Sequence, residues 1–161
     1  MTLVLCRIDD RLIHGQVVIG WGRPLAVQFI VLVDDQVAAS AWEQELYRMA
    51  VPPEIEVAFA TVAEATAQLA AWAGSPRRGV LLTGDVATMA ALHRADQVVV
   101  HRINLGGLHH RPGRIERLPY VYLTDAELRT LRALADDGAV ISAQAVPTDT
   151  PVPLADLGGG A

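Results

Sequence analysis

Short apolar runs rich in Val, Ile and Leu alternate along the chain with stretches whose apolar positions recur every three or four residues. The runs lie at 2–8, 28–33, 56–60, 79–83 and 97–103, with a last one at 139–145. They are apolar on both faces, as parallel strands are when helices cover both sides of a sheet. The periodic stretches predict helices. Over 37–50, the residues Val37, Ala41, Trp42, Leu46 and Met49 fall on one helical face. Thr61 with Glu64 forms a capping box that opens a helix over 61–73. Thr124 with Glu127 forms another, over 124–136, and Gly138 stops it. A shorter helix fits 85–94. Segment 104–123 breaks the rhythm, because Pro112, Gly113, Pro119 and the pair Gly106-Gly107 allow only loop and short strands.

This pattern predicts an α/β fold: a doubly wound, mostly parallel open sheet of about seven strands with helices on both faces. Segment 104–123 leaves room for one antiparallel strand. At 161 residues the chain reads as a single domain, 1–157, with a frayed tail at 158–161.

Ligands of such sheets bind at the carboxyl ends of the strands, where strand order reverses. The residues to inspect lie just beyond each strand: 9–14, 34–35, 84–85 and 104–110. The first loop carries the most chemistry. Arg7, Asp9, Asp10, Arg11 and His14 crowd one turn, and the apolar residues 17–21 beyond it predict a helix. A histidine there meets free amide groups, Gly15 among them, which favour an anion. Arg11 offers a planar fork of donors to phosphate, and Arg7 adds a second positive charge. Histidine itself can be the nucleophile of covalent catalysis. Two readings stand side by side. In one, a phosphoryl group sits on His14 with Arg11 taking its charge. In the other, His14 caps a helix and the charged residues form a surface ion-pair cluster. Asp9 and Asp10 either orient the imidazole or repel a phosphate.

Composition narrows the alternatives. All 13 basic residues are arginine, so a Walker A loop and a Schiff-base or pyridoxal lysine are excluded. The net charge of −5 argues against a nucleic-acid partner. The lone Cys6 allows no intrachain disulfide and no cysteine zinc site. No run approaches the roughly 18 apolar residues of a membrane helix, and no signal peptide is evident. The chain therefore reads as intracellular and soluble. His101, His109 and His110 lack the spacing of a metal site, so no metal is expected. Gly20-Trp21-Gly22 lacks the third glycine of a dinucleotide fingerprint. Asp34-Asp35 reads as a helix start, and Asn104-Leu105-Gly106-Gly107-Leu108-His109 as a glycine-rich loop that lets backbone approach a ligand.

Residues 7–17, Arg-Ile-Asp-Asp-Arg-Leu-Ile-His-Gly-Gln-Val, resemble the opening motif of the IIB components of the mannose–fructose–sorbose family of the bacterial phosphoenolpyruvate-dependent sugar phosphotransferase system. Further similarities come in order along the chain: Trp21, the strand ending in Val33-Asp34-Asp35, Met49-Ala50 before Pro52-Pro53, and the segment 104–109. The resemblance covers about residues 2–155. It departs from the family at Leu108, at the lysine-free stretch from His109 to Arg114, and at Thr83-Gly84-Asp85.

The resemblance implies a doubly wound sheet and protein-N(pi)-phosphohistidine–sugar phosphotransferase activity without a cofactor. His14 would accept a phosphoryl group from component IIA and pass it to a sugar presented by membrane components IIC and IID. Such a chain would be cytoplasmic and peripherally membrane-associated. Arg11, Gly15 and Arg7 would hold the phosphate, with Asp9, Asp10, Thr83, Gly84 and His109 in support. Trp21, Leu12 or Ile13 would be partner contacts, unless Leu12 and Ile13 anchor the loop in the core. A regulatory phosphocarrier, signalling to a protein without sugar transport, uses the same histidine. A binding module that takes a small anion, with His14 structural, is the third reading.

Overall fold

The computed structural model describes residues 3–158. Its main sheet has seven strands: β1 (Leu3–Ile8), β2 (Phe29–Val33), β3 (Glu56–Ala60), β4 (Gly79–Thr83), β5 (Arg102–Leu105), β8 (Val140–Ala143) and β9 (Val152–Pro153). They are ordered β3-β2-β4-β1-β5-β8-β9. All neighbours run parallel except β8 and β9. The antiparallel strand of the main sheet is thus β9. Segment 104–123 holds an antiparallel pair as well, but as a separate hairpin of β6 (Ile115–Leu118) and β7 (Val121–Leu123) outside that sheet.

Alternation along the strands sends successive side chains to opposite faces. In β2, Phe29, Val31 and Val33 enter one core, and Ile30 and Leu32 enter the other. Helices α3 (Val62–Ala73), α4 (Val86–Ala95) and α5 (Asp125–Asp136) cover the first face through Leu69, Met89, Leu92, Leu128 and Leu131. The second face is covered by Ile13, a π-helical turn (Gln16–Trp21), and α1 (Asp35–Ala38) through Val37. These helices start where a side chain accepts from a free amide: Asp34 for α1, Thr61 for α3, Asp85 for α4 and Thr124 for α5. Thr124 and Glu127 cap reciprocally, as the sequence predicts.

Several expectations are corrected. The helix predicted over 37–50 is two helices, because Ser40 Oγ accepts from Glu43 N and opens α2 (Ala41–Met49). The apolar stripe of α2 points outward, with Trp42 72% and Met49 82% exposed. The strand predicted at 97–103 starts only at Arg102, because the Asp96 side chain accepts from the amides of Val98 and Val99 and folds them into a turn. Residues 17–21 form a π-turn of one winding rather than an α-helix. Leu157, next to the expected frayed end, is buried in the core beside Leu154. Gly158 lies against Arg132, and the rest of the expected tail, 159–161, falls outside the described residues.

Candidate functional site

The chain reverses direction across the sheet at β1, which lies between β4 and β5. The loop leaving β1 is held from both sides. Asp9 N donates to the Thr83 carbonyl at the end of β4 at 2.9 Å, and Asp10 N donates to the Gly107 carbonyl beyond β5 at 2.8 Å. This is where a doubly wound sheet opens a crevice for a ligand.

Asp9 is fully buried beneath the loop and receives hydrogen bonds from three sides. Arg7 Nη2 donates to Oδ2 at 3.2 Å, and Gly107 N to the same oxygen at 3.3 Å. Arg11 donates to Oδ1 through its backbone N at 3.1 Å and its Nε at 3.2 Å. Arg11 Nη2 reaches Oδ2 at 3.3 Å. Burial pushes the Asp9 carboxyl up, but the Arg11 hydrogen bonds and the charges of Arg7 and His14 outweigh it and hold the carboxyl below the ordinary carboxylate range. Asp9 is therefore an anion at neutral pH.

Arg7 does not face the loop's open side. It is fully buried, and Nη1 donates to Asn104 Oδ1 and to the Gln144 carbonyl. Nη2 donates to the Ala145 carbonyl at 3.2 Å as well as to Asp9. Trp21 lies under the guanidinium, 4.9 Å from carbon to ring centroid, and Gly106 approaches it so closely that a Cβ there would collide with it. The phosphate contact expected of Arg7 is thus blocked, because protein fills the approaches to its guanidinium. Trp21 is corrected in the same way: it is buried, and its indole N–H donates to the Ala145 carbonyl. Ile13 is a core anchor of the loop, and Leu12 packs partly buried beside it.

Arg11 is the exposed arginine of the loop, with its side chain 39% accessible. Besides Asp9, its Nη2 donates to Gln16 Oε1 at 2.6 Å. His14 is more enclosed. Its Nδ1 lies 2.8 Å from the Leu12 carbonyl, which only accepts, so Nδ1 carries the proton. Nε2 is buried without a hydrogen-bond partner among the described residues, 3.8 Å from Asp9 Oδ2. Leu12 takes the left-handed backbone, φ 60°, which a non-glycine residue rarely adopts. Gly15 caps the start of the π-turn, and the space where its side chain would be is open.

The supporting residues shape the loop from outside. A Cβ at Gly84 would press on Leu12, so its absence gives that side chain room. Thr83 serves through its carbonyl, while its buried hydroxyl donates to the Asp85 carbonyl. Asp10 receives His109 Nδ1–H at 2.5 Å and His109 N–H at 2.8 Å, and Arg114 lies 3.7 Å away. Arg114 continues to Glu127 at the start of α5 with two hydrogen bonds, at 3.1 and 3.0 Å. These bonds tie the β1 loop to the hairpin side of the molecule. Sequence reasoning places Gln16 and Asn104 within its motifs but assigns neither a role, and it misses the carbonyls of Gln144 and Ala145.

A buried ion pair under a strand-order reversal, with a histidine and a half-exposed arginine above it, defines a small α/β domain with a loop whose chemistry suits an anionic group. Similarity to known proteins makes the class specific. Residues 3–159 match the family model for the PTS system sorbose subfamily IIB component, so the chain belongs to that family. Its members are sugar-specific phosphotransferase-system components, as the resemblance implies.

The chain is 30% identical to the sorbose-specific EIIB component of Klebsiella pneumoniae over 97% of its own length and 94% of that protein's. It is 28% identical to the mannose-specific EIIAB component of Escherichia coli K12, of which it spans 48%. The crystal structure of the IIBSor domain of the sorbose permease of K. pneumoniae superposes with a TM-score of 0.90 at 28% identity, covering 100% of this chain and 99% of that one.

Proposed function

We propose that the chain carries a phosphoryl group on His14, accepting it from a IIA phosphohistidine and passing it to a sugar presented by IIC and IID membrane components. The observation that carries this reading is the charge arrangement around His14. Buried Arg7 neutralises Asp9, so the carboxylate beneath the histidine does not repel an incoming phosphoryl group. Arg11 then contributes the one net positive charge of the trio, on the side open to solvent. Its Nη1 makes no hydrogen bond among the described residues and is available to a phosphoryl oxygen.

The transfer needs little else from the protein. Phosphoryl transfer rests on positioning and charge stabilisation, and no cofactor takes part. As the phosphorus–nitrogen bond to the donor histidine breaks, a new one forms to an imidazole nitrogen of His14. The ring first turns out of its resting position, because Nδ1 faces the Leu12 carbonyl and Nε2 faces the floor. At Gly15, next in the chain, the side-chain position is open, so nothing crowds that side of the loop. A single half-exposed arginine holds the group without caging it, which suits a carrier that must release its cargo. The work is done at the cytoplasmic face of the membrane, docked to IIC and IID. No helix among the described residues is long and apolar enough to cross a bilayer itself.

The test is phosphoryl loading detected by intact mass, with phosphoenolpyruvate, the general phosphotransfer proteins and a cognate IIA. An acid-labile gain of one phosphoryl group that His14→Ala abolishes is the expected result. Loading that persists in His14→Ala, or no loading from a IIA shown to be phosphorylated, overturns it. Adding membranes with IIC, IID and sugar then separates a sugar acceptor from a protein one.

A further inference from the structure

Gln16 opens the π-turn two residues after His14. Its bond to Arg11, 2.6 Å from Nη2 to Oε1, is the shortest that this guanidinium makes among the described residues. A guanidinium only donates, so the amide atom facing it is the oxygen. Arg11 is thereby gripped along one edge from two sides. Asp9 takes Nε and Nη2 from below at 3.2 and 3.3 Å, and Gln16 takes Nη2 from the helical side. Gly107 packs against the guanidinium, where a Cβ would lie 3.3 Å from Nε and Nη2. The nitrogen left without a partner among the described residues is Nη1.

An arginine side chain that is 39% exposed loses its rotamer freedom only if something holds it. Asp9 holds it by charge, and a phosphoryl group on Nη1 competes with Asp9 for the pull on the same cation. Gln16 holds it with a neutral acceptor. That keeps the guanidinium in place and adds no negative charge beside the phosphoryl group. A glutamate at the same position would draw the guanidinium to itself and repel the phosphoryl oxygens.

We propose that Gln16 is a positioning residue for phosphoryl transfer, acting through Arg11: it fixes the guanidinium so that Nη1 meets the phosphoryl group on His14. The inference rests on His14 being the carrier.

The test compares the rate of loading from phosphorylated IIA in the wild-type chain, Gln16→Met, Gln16→Glu, Arg11→Met and the double variant Arg11→Met/Gln16→Met. Gln16→Met slows loading about tenfold, the effect of losing one hydrogen bond to a charged group. Gln16→Glu slows it further, and both keep the wild-type melting temperature within a few degrees. The double variant is no slower than Arg11→Met, because without the guanidinium Gln16 has nothing to hold. Wild-type loading rates in Gln16→Met overturn the inference, as does a double variant slowed by the product of the two single effects. No loading of the wild-type chain overturns the His14 reading and this one with it. Loading that stops only in the Gln16 variants, with a matching loss of melting temperature, assigns Gln16 to folding and overturns this inference alone.

Discussion

Arg7 and Arg11 stand four positions apart, and both bond the same carboxylate, yet they do opposite things. Arg7 is fully buried, with two nitrogens donating to Asn104, Asp9 and the carbonyls of Gln144 and Ala145, and is in effect a fixed part of the core. Arg11 is 39% exposed and keeps Nη1 without a partner among the described residues. The difference lies in how much of the chain folds over each side chain. The C-terminal ends of β1, β5 and β8 close over Arg7, whereas Arg11 sits past the last residue of β1, on the side open to solvent. One arginine sets the charge of the floor, and the other keeps a donor open to solvent. The proposed phosphoryl carrier uses both, because a floor carboxylate without Arg7 would repel the group that Arg11 is proposed to attract.

Three substitutions and one change of condition separate these roles. The largest effect on stability is expected from Arg7→Met, which leaves Asp9 buried with only Arg11 opposite. Breaking a buried pair costs about 3–5 kcal/mol, so urea unfolding should show a much lower midpoint; a variant within about 1 kcal/mol of wild type would mean that the pair is not structural.

Acid comes next. The folded Asp9 carboxyl lies below its ordinary range, and so does Glu127, where burial pushes up but the Thr124 amide and Arg114 pull down harder. Groups with a depressed folded value stabilise the protein at neutral pH. That stability is lost as pH falls from the ordinary carboxylate range through the lower folded value. The unfolding free energy should therefore drop between neutral and strongly acidic pH, and by less in Asp9→Asn, which starts lower. An equally steep fall in Asp9→Asn would remove Asp9 from that account.

The smallest stability effect belongs to Arg11→Met, about 0–1 kcal/mol for a solvent-screened pair, while phosphoryl loading falls many-fold. Calorimetry beside the loading assay checks this. A large loss of stability would place Arg11 with Arg7 in the floor.

Much of this architecture is legible in the residues alone. Strands β2, β3 and β4 arise from short, largely apolar runs that no helix period fits, and the Thr61 and Thr124 caps announce α3 and α5. The β1 loop is legible as a crowd of charge at a strand end. What escapes is depth. A charged residue at the end of an apolar strand gives no local sign of being covered. Arg7 is covered by Asn104, 97 positions away, and by carbonyls farther still, and only tertiary structure brings them together. The α2 stripe fails for the converse reason: periodicity marks one face of a helix without saying whether anything packs on it. The strand at 97–103 fails because Asp96, an ordinary polar residue in sequence, turns the chain with its side chain.

The bonds from Arg7 to Gln144 and Ala145 span 137 and 138 positions. The ribosome releases the His14 motif long before the strand end that Arg7 requires. Until β8 emerges, the guanidinium cannot leave water without losing hydrogen bonds that nothing replaces. The two distant segments are thus read as one condition: a chain cut short before β8 carries the whole motif but lacks the carbonyls that hold Arg7 in place.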